Sequence, residues 1–451
     1  MTRYQARWVV PVSRPPIEDG VVDVRDGDIT YVGPCQDAPP TDGDLVELGD
    51  ALLLPGLVNA HTHLELTAFR GLLADAPFRS WIVSLQRAKA AVMTRERYLD
   101  AARLGVAEGL LAGITTYADS CDSGVSLEVM RELGVRGIMY QEVFGPDPAD
   151  AARSLGDLES RLERLCGLQT EVQRLGVSPH APYTVSAELY RSVARLARER
   201  GLPMMLHAAE SEAESELVAG GTGPFAEGLR RRGIEVRAHG RSPLAYLREL
   251  GVLDERPLLA HCVQADAADV ELIAAAGASI AHCPISNARL GHGVAPVVEF
   301  RQYGIDVGLG SDSMASNDRM HLLEETRVAV LAQRQRTRRW DALSAQDGLE
   351  LATLGGARAL RLAHRIGSLE IGKSADLAAF DLAATDVTPA FDPVAAAVFS
   401  LGGSRASFVA VAGRPLVWRG RLTSVDPASS TRVRETADAL RRWREQDPAS
   451  H

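Results

Sequence analysis

Apolar and polar positions alternate through residues 4–33, the period-two pattern of short strands that bury one face. Turns are predicted at Glu18-Asp19-Gly20 and at Arg25-Asp26-Gly27-Asp28, with Gly20 and Gly27 supplying the positive φ of tight hairpins. The pattern changes near residue 54. From there to residue 361, eight short apolar runs (57–61, 114–118, 136–141, 176–180, 203–208, 257–262, 278–283 and 305–311) alternate with helical stretches. In 188–200, Leu189, Val193, Leu196 and Ala197 share one helical face, and 268–276 is similarly periodic. Eight strands alternating with helices predict an α/β fold of the (β/α)8, TIM-like barrel type. Beyond it, 367–378 and 408–418 return to strand-like alternation. The predicted organisation is a small β-sandwich domain split between 1–54 and 365–425, a barrel over 55–364, and a polar, Arg-rich helical tail over 426–451.

The chemistry gathers where the apolar runs end. The first run leads into His61-Thr62-His63, and residues i and i+2 of a strand point to one face, so both imidazoles can address one metal ion. Taken alone, His-x-His also describes surface histidines. Later run ends carry His180, His207, His261, His282 and Asp312, and barrel enzymes place their functional groups at those strand ends. Seven metal-capable side chains there, in a chain with 11 histidines, favour a metal site. Glu210 lies just past His207; its bland reading is an acidic residue favourable at a helix N-terminus. Asp312 sits in Gly308-Leu309-Gly310-Ser311-Asp312-Ser313, where it is either a ligand or a helix cap.

Composition narrows the setting. A formal net charge of −10 argues against a nucleic-acid partner. The absence of any apolar run of eighteen residues predicts no membrane span, and an N-terminus without a secretory apolar core makes the cytoplasm the expected compartment. Five scattered cysteines without Cys-x-x-Cys suggest neither disulfides nor a cysteine metal site. Cys262 and Cys283 read as packed thiols, and His239, His292, His321 and His364 as structural.

Together, Pro55-Gly56-Leu57-Val58-Asn59-Ala60-His61-Thr62-His63, His207-Ala208-Ala209-Glu210, His261-Cys262, His282-Cys283-Pro284-Ile285-Ser286-Asn287 and Gly310-Ser311-Asp312 resemble the amidohydrolase superfamily, in its deaminase branch. The resemblance implies that His61, His63, His207 and Asp312 hold one divalent metal, zinc first and iron second. It also implies that His261 sits beside the ligands, that Glu210 shuttles protons and that His180 contacts substrate; His282 reads as support for the adjacent wall, with metal binding as the alternative. Two-metal relatives carry a bridging lysine on strand four, and the run Leu175-Gly176-Val177-Ser178-Pro179-His180 has none. By this resemblance the catalytic set is Glu210, His261 and Asp312. The expected reaction is hydrolytic deamination of an aminated heterocycle or nucleoside, with a homodimer compatible and no nucleic acid or membrane as partner.

For the substrate, Ser316-Asn317 resembles adenosylhomocysteine and methylthioadenosine deaminases, but the region Gln86-Arg87-Ala88-Lys89-Ala90-Ala91-Val92-Met93 is basic where those enzymes carry an acidic residue. His61-Thr62-His63-Leu64-Glu65 is similar to aminodeoxyfutalosine deaminases, which makes aminodeoxyfutalosine the first expectation and Ser316 a substrate-binding candidate. Glu65 is either a substrate group or half of a salt bridge. Arg87, then Lys89, is the candidate contact for the substrate carboxylate. The alternatives are adenosylhomocysteine or methylthioadenosine, another ring such as guanine, pterin or triazine, and a catalytically inactive binding protein.

Overall fold

The computed structural model describes residues 1–73, 76–424 and 428–446. Two parallel arcs form its centre. β1 (Leu57–His63), β2 (Ile114–Cys121), β3 (Arg136–Val143) and β4 (Gln173–Pro179) pair in that order, as do β5 (Met205–Ala208), β6 (Leu258–His261), β7 (Ser279–His282) and β8 (Val307–Leu309). A parallel bridge between Val177 and Met204 joins the arcs on one side. On the other, Asp312–Ser313, just beyond β8, pairs with β1. Every apolar run read from the sequence overlaps one of these strands. The periodic stretches become the helices Ala187–Arg200, capped by Ser186, and Ala267–Ala276, opened by a capping box between Asp266 and Asp269.

The strands are buried along almost their whole length, as parallel strands covered on both faces must be. Val58, Ala60, Ala118, Ile138, Met205 and Ala281, from five strands, meet in one inner apolar cluster, closed by Ala357, Leu360 and Ile366. Leu206, Leu259 and Ile280 belong instead to the outer layer, packed with the helices.

Strands from both chain ends join one nine-stranded sheet. Its order is Arg421–Leu422, Arg414–Trp418, Ala406–Val411, Leu377–Asp381, Ala51–Pro55, Thr2–Val9, Ile17–Arg25 and Asp28–Pro34, with Asp44–Glu47 also pairing to Thr2–Val9. The turn expected at Glu18-Asp19-Gly20 is not there. Those residues lie inside Ile17–Arg25, and the positive φ belongs to Asp19 (46°), not Gly20. Gly20 is needed for space, since a Cβ there would lie 2.7 Å from Val9 Cγ2. The Gly27 turn forms as expected, at φ 87°. Of the strand-like stretch 367–378, only the last two residues enter a strand.

The helix Ala428–Gln446 packs Val433 and Leu440 against Trp81 and Leu85 of the helix Phe78–Val92, and Arg432 pairs with Asp100. Residues 425–427, at the join of the expected tail, and its end at 447–451 lie outside the described residues. Among the described residues, no helix is long and apolar enough to cross a membrane. All five cysteines are free.

One ion pair ties the nine-stranded sheet to the parallel arcs. Arg136 of β3 donates to Asp376 Oδ2 at 2.8 Å, with both side chains buried, and Asp376 Oδ1 also accepts from Ser374 Oγ and the Ala412 N–H. Removing one partner strands the other charge away from water. Arg136→Ala is expected to cost about 3–5 kcal/mol, read as a lower midpoint of chemical denaturation; a loss under ~1 kcal/mol, the scale of an exposed pair, would contradict it.

Candidate active site

β1 aims two histidines into the space between the arcs, and it does so through an irregularity. Strict alternation from Val58 and Ala60, both in the inner cluster, would turn His61 outward. The β1–β2 register shifts between Asn59 and Thr62, and His61 faces inward against His207 and His261. His261 and Asp312 also leave their strands with positive φ, 73° and 55°. Such conformations are costly for residues with a Cβ and collect at functional sites. Gly310 makes the crowding tolerable, because a Cβ there would lie 2.8 Å from His61 Cβ and 2.9 Å from Cys283 Sγ.

The donor atoms converge. His63 Nε2 and His207 Nε2 are 3.3 Å apart, and Asp312 Oδ1 lies 3.5 Å from His61 Nε2 and 3.6 Å from His63 Nε2. Around a tetrahedral ion with bonds of about 2.1 Å, neighbouring donors sit about 3.4 Å apart. The triads His61, His63, Asp312 and His61, His207, His261 each bring one donor atom per residue within 4.8 Å of the others. Burial lowers the pKa of His61 and His63, and that of His207 to about 3, so the rings are neutral. His207 Nδ1 donates to the His180 carbonyl at 3.1 Å, which leaves the lone pair on Nε2. Neither ring nitrogen of His61 has a hydrogen-bond partner, although buried polar atoms almost always do. Neutral imidazoles beside one carboxylate are the donor set of a borderline divalent cation, and the residues fit it.

Asp312 is braced from behind. Ser286 Oγ and Ser316 Oγ donate to its Oδ2 at 2.6 and 2.9 Å, leaving Oδ1 toward the histidines. Burial would raise this carboxyl, but His61 and the neighbouring histidines hold it well below the usual range.

Glu210 stands beside this cluster. The chain leaves β5 through Ala209 at φ 50°, and the N–H groups of Ala209 and Glu210 donate to the two oxygens of Glu214 at 2.8 and 2.9 Å. Glu210 Oε1 lies 3.7 Å from His261 Nε2 and 3.5 Å from His292 Nε2, and Oε2 accepts from Tyr183 at 3.3 Å. Burial pushes Glu210 up, and His261 with His292 more than reverse this, so it sits below its ordinary value. His261 Nδ1 donates to Asn287 Oδ1 at 2.9 Å, turning Nε2 toward Glu210. His292 escaped the sequence reading; its one signal was a place between Gly291 and Gly293, both at positive φ.

A cavity of about 310 Å³ opens on these groups, walled by Phe78, Trp81, Ile82, Leu85, Phe144 and Leu290. His180, Glu65 and Lys89 line it. Glu65 belongs to a buried network: Oε1 faces Lys89 Nζ at 3.5 Å, and Oε2 accepts from the Ser123 N–H at 3.0 Å and Cys121 Sγ at 3.1 Å. Lys89 also reaches Asp122 at 3.3 Å. Two expected substrate contacts are elsewhere. Arg87 is exposed on the helix Phe78–Val92 and does not line the cavity, because the helix turns its neighbours Leu85 and Lys89 inward. Ser316 is spent on Asp312. His282 keeps the strand phase of the outward Ile280 and stays out of the cavity lining.

Over residues 52–415 the sequence matches the amidohydrolase family. The 5-methylthioadenosine/S-adenosylhomocysteine deaminase of Moorella thermoacetica is 32% identical over 424 residues, 93% of this chain and 94% of that protein. An adenosine deaminase from Xanthomonas campestris, solved with bound zinc, is similar with a TM-score of 0.86 at 29% identity, covering 98% of each chain. The aminofutalosine deaminase of Helicobacter pylori, solved with methylthio-coformycin, has a TM-score of 0.81 at 22% identity, covering 92% of this chain and 100% of that one. That last likeness speaks for the fold alone.

Burial pushes Glu214 up to about 8. Its stabilising contribution is therefore complete below the ordinary carboxylate pKa and is lost as pH rises through about 8, because the folded chain holds a proton that the unfolded chain releases. The stability difference between wild type and Glu214→Gln, compared by denaturation at acidic and mildly alkaline pH, should move against wild type as pH rises. A pH-independent difference would remove the assignment.

Proposed function

This chain belongs to the amidohydrolase family, and from that membership we propose a metal-dependent hydrolytic deaminase that replaces the 6-amino group of an adenine nucleoside with oxygen and releases ammonia. The observation that carries the reading is the convergence of His61, His63, His207 and Asp312 at ligand spacing with Glu210 alongside. Those four side chains would hold one divalent ion, zinc by analogy with the Xanthomonas structure. A divalent ion held there supplies Lewis acidity that makes water a nucleophile near neutral pH.

The protein's own groups do the proton work. Asp312, ionised and oriented by two serine hydroxyls, accepts a proton from the attacking water. His261, fixed by Asn287, presents Nε2 toward the same space and orients that water. Glu210 begins as a carboxylate, takes up a proton from solvent and donates it to the ring nitrogen beside the attacked carbon. It recovers one from the hydroxyl of the substrate adduct, while the proton on Asp312 passes to the amine, which departs as ammonia. His261, His292 and Tyr183 hold Glu210 for that exchange, which is worth roughly 10²–10⁴-fold in rate.

For the architecture we propose one closed (β/α)8 barrel over 55–364, with 1–54 and 365–425 as a small β-sandwich domain. Tyr4 and Phe408, on strands separated by two others in the sheet order, pack with ring centroids 5.0 Å apart, which favours a sheet folded over itself.

Within the nucleoside class, the His61-Thr62-His63-Leu64-Glu65 stretch favours aminodeoxyfutalosine. The Moorella relative favours methylthioadenosine or adenosylhomocysteine as the second reading. Arg87 no longer separates them, and Lys89 is already neutralised by Glu65 and Asp122. Arg232 takes over as the candidate contact for an acidic side chain, since it is exposed and lines the cavity.

Two measurements test this. Purified enzyme should carry one divalent metal per chain; His61→Ala should lose it, while Glu210→Gln should keep it and lose at least about a hundredfold in kcat. Metal retained by His61→Ala, or near-normal turnover by Glu210→Gln, would sink the assignment. Across aminodeoxyfutalosine, methylthioadenosine, adenosylhomocysteine and adenosine, Arg232→Ala should cut kcat/KM for the first by roughly tenfold and leave methylthioadenosine nearly unchanged. Equal losses on both would remove Arg232 from substrate recognition.

A further inference from the structure

Of the side chains that hold Glu210, only one has a second polar atom to spare. Tyr183 donates its single proton to Oε2 at 3.3 Å, and burial holds that phenol well above its ordinary pKa. His261 Nε2 lies 3.7 Å from Oε1, but its Nδ1 is committed to Asn287 at 2.9 Å. His292 Nε2 lies 3.5 Å from the same oxygen, enclosed and without a hydrogen-bond partner. Among the described residues nothing bonds to His292 Nδ1, and that nitrogen is not shut off from solvent.

The chain around His292 sets its ring between the site and the surface. Gly291, Gly293 and Val294 are exposed, while His292 itself is buried. Its N–H donates to the Asn287 carbonyl at 2.9 Å, and its carbonyl accepts from Gln264 Nε2 at 2.7 Å. Gln264 in turn donates its own N–H to the Ala209 carbonyl at 2.8 Å, one residue from Glu210. These backbone bonds fix where His292 stands relative to Glu210. His292 does not line the cavity; Phe78 does, and sets its ring edge-on against His292 with centroids 4.4 Å apart. A substrate in the cavity would cover Glu210 from the mouth and leave His292, behind it, in touch with solvent.

We propose that His292 carries protons between solvent and Glu210, acting through Glu210 and touching no reacting atom itself. The carboxylate facing Nε2 keeps the imidazole proton on that nitrogen and leaves the lone pair on Nδ1. When Nδ1 takes a proton from hydronium or a buffer acid, the Nε2–H bond breaks and its proton moves to Glu210. The ring is left neutral, with its proton on Nδ1. Glu210 then donates to the substrate, recovers a proton from the adduct, and must lose it before the next turnover. Passing it back to Nε2 releases the Nδ1 proton to water and restores the starting tautomer. One proton enters and one leaves per turnover, with no ring flip. The gap of 3.5 Å is about half an ångström longer than such a bond; catalytic hydrogen bonds commonly tighten only with substrate bound.

This inference rests on the nucleoside-deaminase reading, and one experiment separates the two. Wild type, His292→Gln and His292→Ala are assayed on the nucleoside that wild type uses best among aminodeoxyfutalosine, methylthioadenosine, adenosylhomocysteine and adenosine. Metal content and denaturation midpoint are measured on each preparation. Glutamine keeps an amide N–H that can hold Glu210 but cannot pass a proton. Both variants should keep the metal and lose about ten- to a hundredfold in kcat, with KM within about threefold of wild type. Added imidazole should raise kcat of His292→Ala severalfold, while pyrazole, an isostere and a far weaker base, should not. Neither additive should raise wild type or His292→Gln, where a side chain fills the space. A near-normal kcat for His292→Gln overturns the proposal, because holding Glu210 would then be the whole role of the ring. Equal effects of imidazole and pyrazole on His292→Ala, no effect of either, or metal loss in both variants also overturn it. If wild type deaminates none of the four nucleosides, the nucleoside-deaminase reading falls and this inference with it.

Discussion

The structure depends on bringing three neutral imidazoles and one carboxylate together out of water. Nitrogen and carboxylate atoms crowd to 3.3–3.6 Å of one another, and each has lost its hydration. Both nitrogens of His61 and Nε2 of His261 have no hydrogen-bond partner. The arrangement therefore relies on the surrounding scaffold to hold it until a cation supplies the missing charge. The residues behind the cluster show how that is done. Asn287 fixes His261, the His180 carbonyl fixes His207, and Ser286 with Ser316 fixes Asp312. Each uses the far atom of a functional group and leaves the near atom for chemistry.

Holding donors this close also strains the backbone. Ala209, His261, Cys262 and Asp312 all adopt positive φ, at the points where the chain leaves β5, β6 and β8. The conformations persist because the parallel strands beneath them are buried and regularly paired, and because Glu214 occupies the two N–H groups that the turn after β5 exposes. The strain sits on the rim of a rigid frame, where it re-aims side chains that strict alternation would bury in the outer layer.

Substrate recognition draws on the same frame less directly. The apolar wall is carried by the helix Phe78–Val92, and the terminal helix Ala428–Gln446 packs against its Trp81 and Leu85. That contact links the far end of the chain to the shape of the cavity. The helix Phe78–Val92 also brings Lys89 to the cavity, where it pairs with Glu65 and Asp122.

Much of this was legible in the chain alone. Period-two and period-3.6 patterning located all eight parallel strands, because burial on both faces demands continuous apolar runs that polar helix faces interrupt. The histidines and Asp312 stood out because strand ends are where a polar residue after such a run has few structural reasons to be. What the pattern could not decide was direction. His61 faces inward because β1 slips register between Asn59 and Thr62, and His282 faces away because β7 does not slip. Arg87 and Lys89 are two residues apart on one helix, about 200° around its axis, so one is in the cavity and the other in solvent. His292 and Tyr183 come from segments with no shared motif and meet the site only across the fold. Identity along the chain is local, but partnership depends on rotations and register shifts that accumulate over distant segments, and those exist only once the strands have paired.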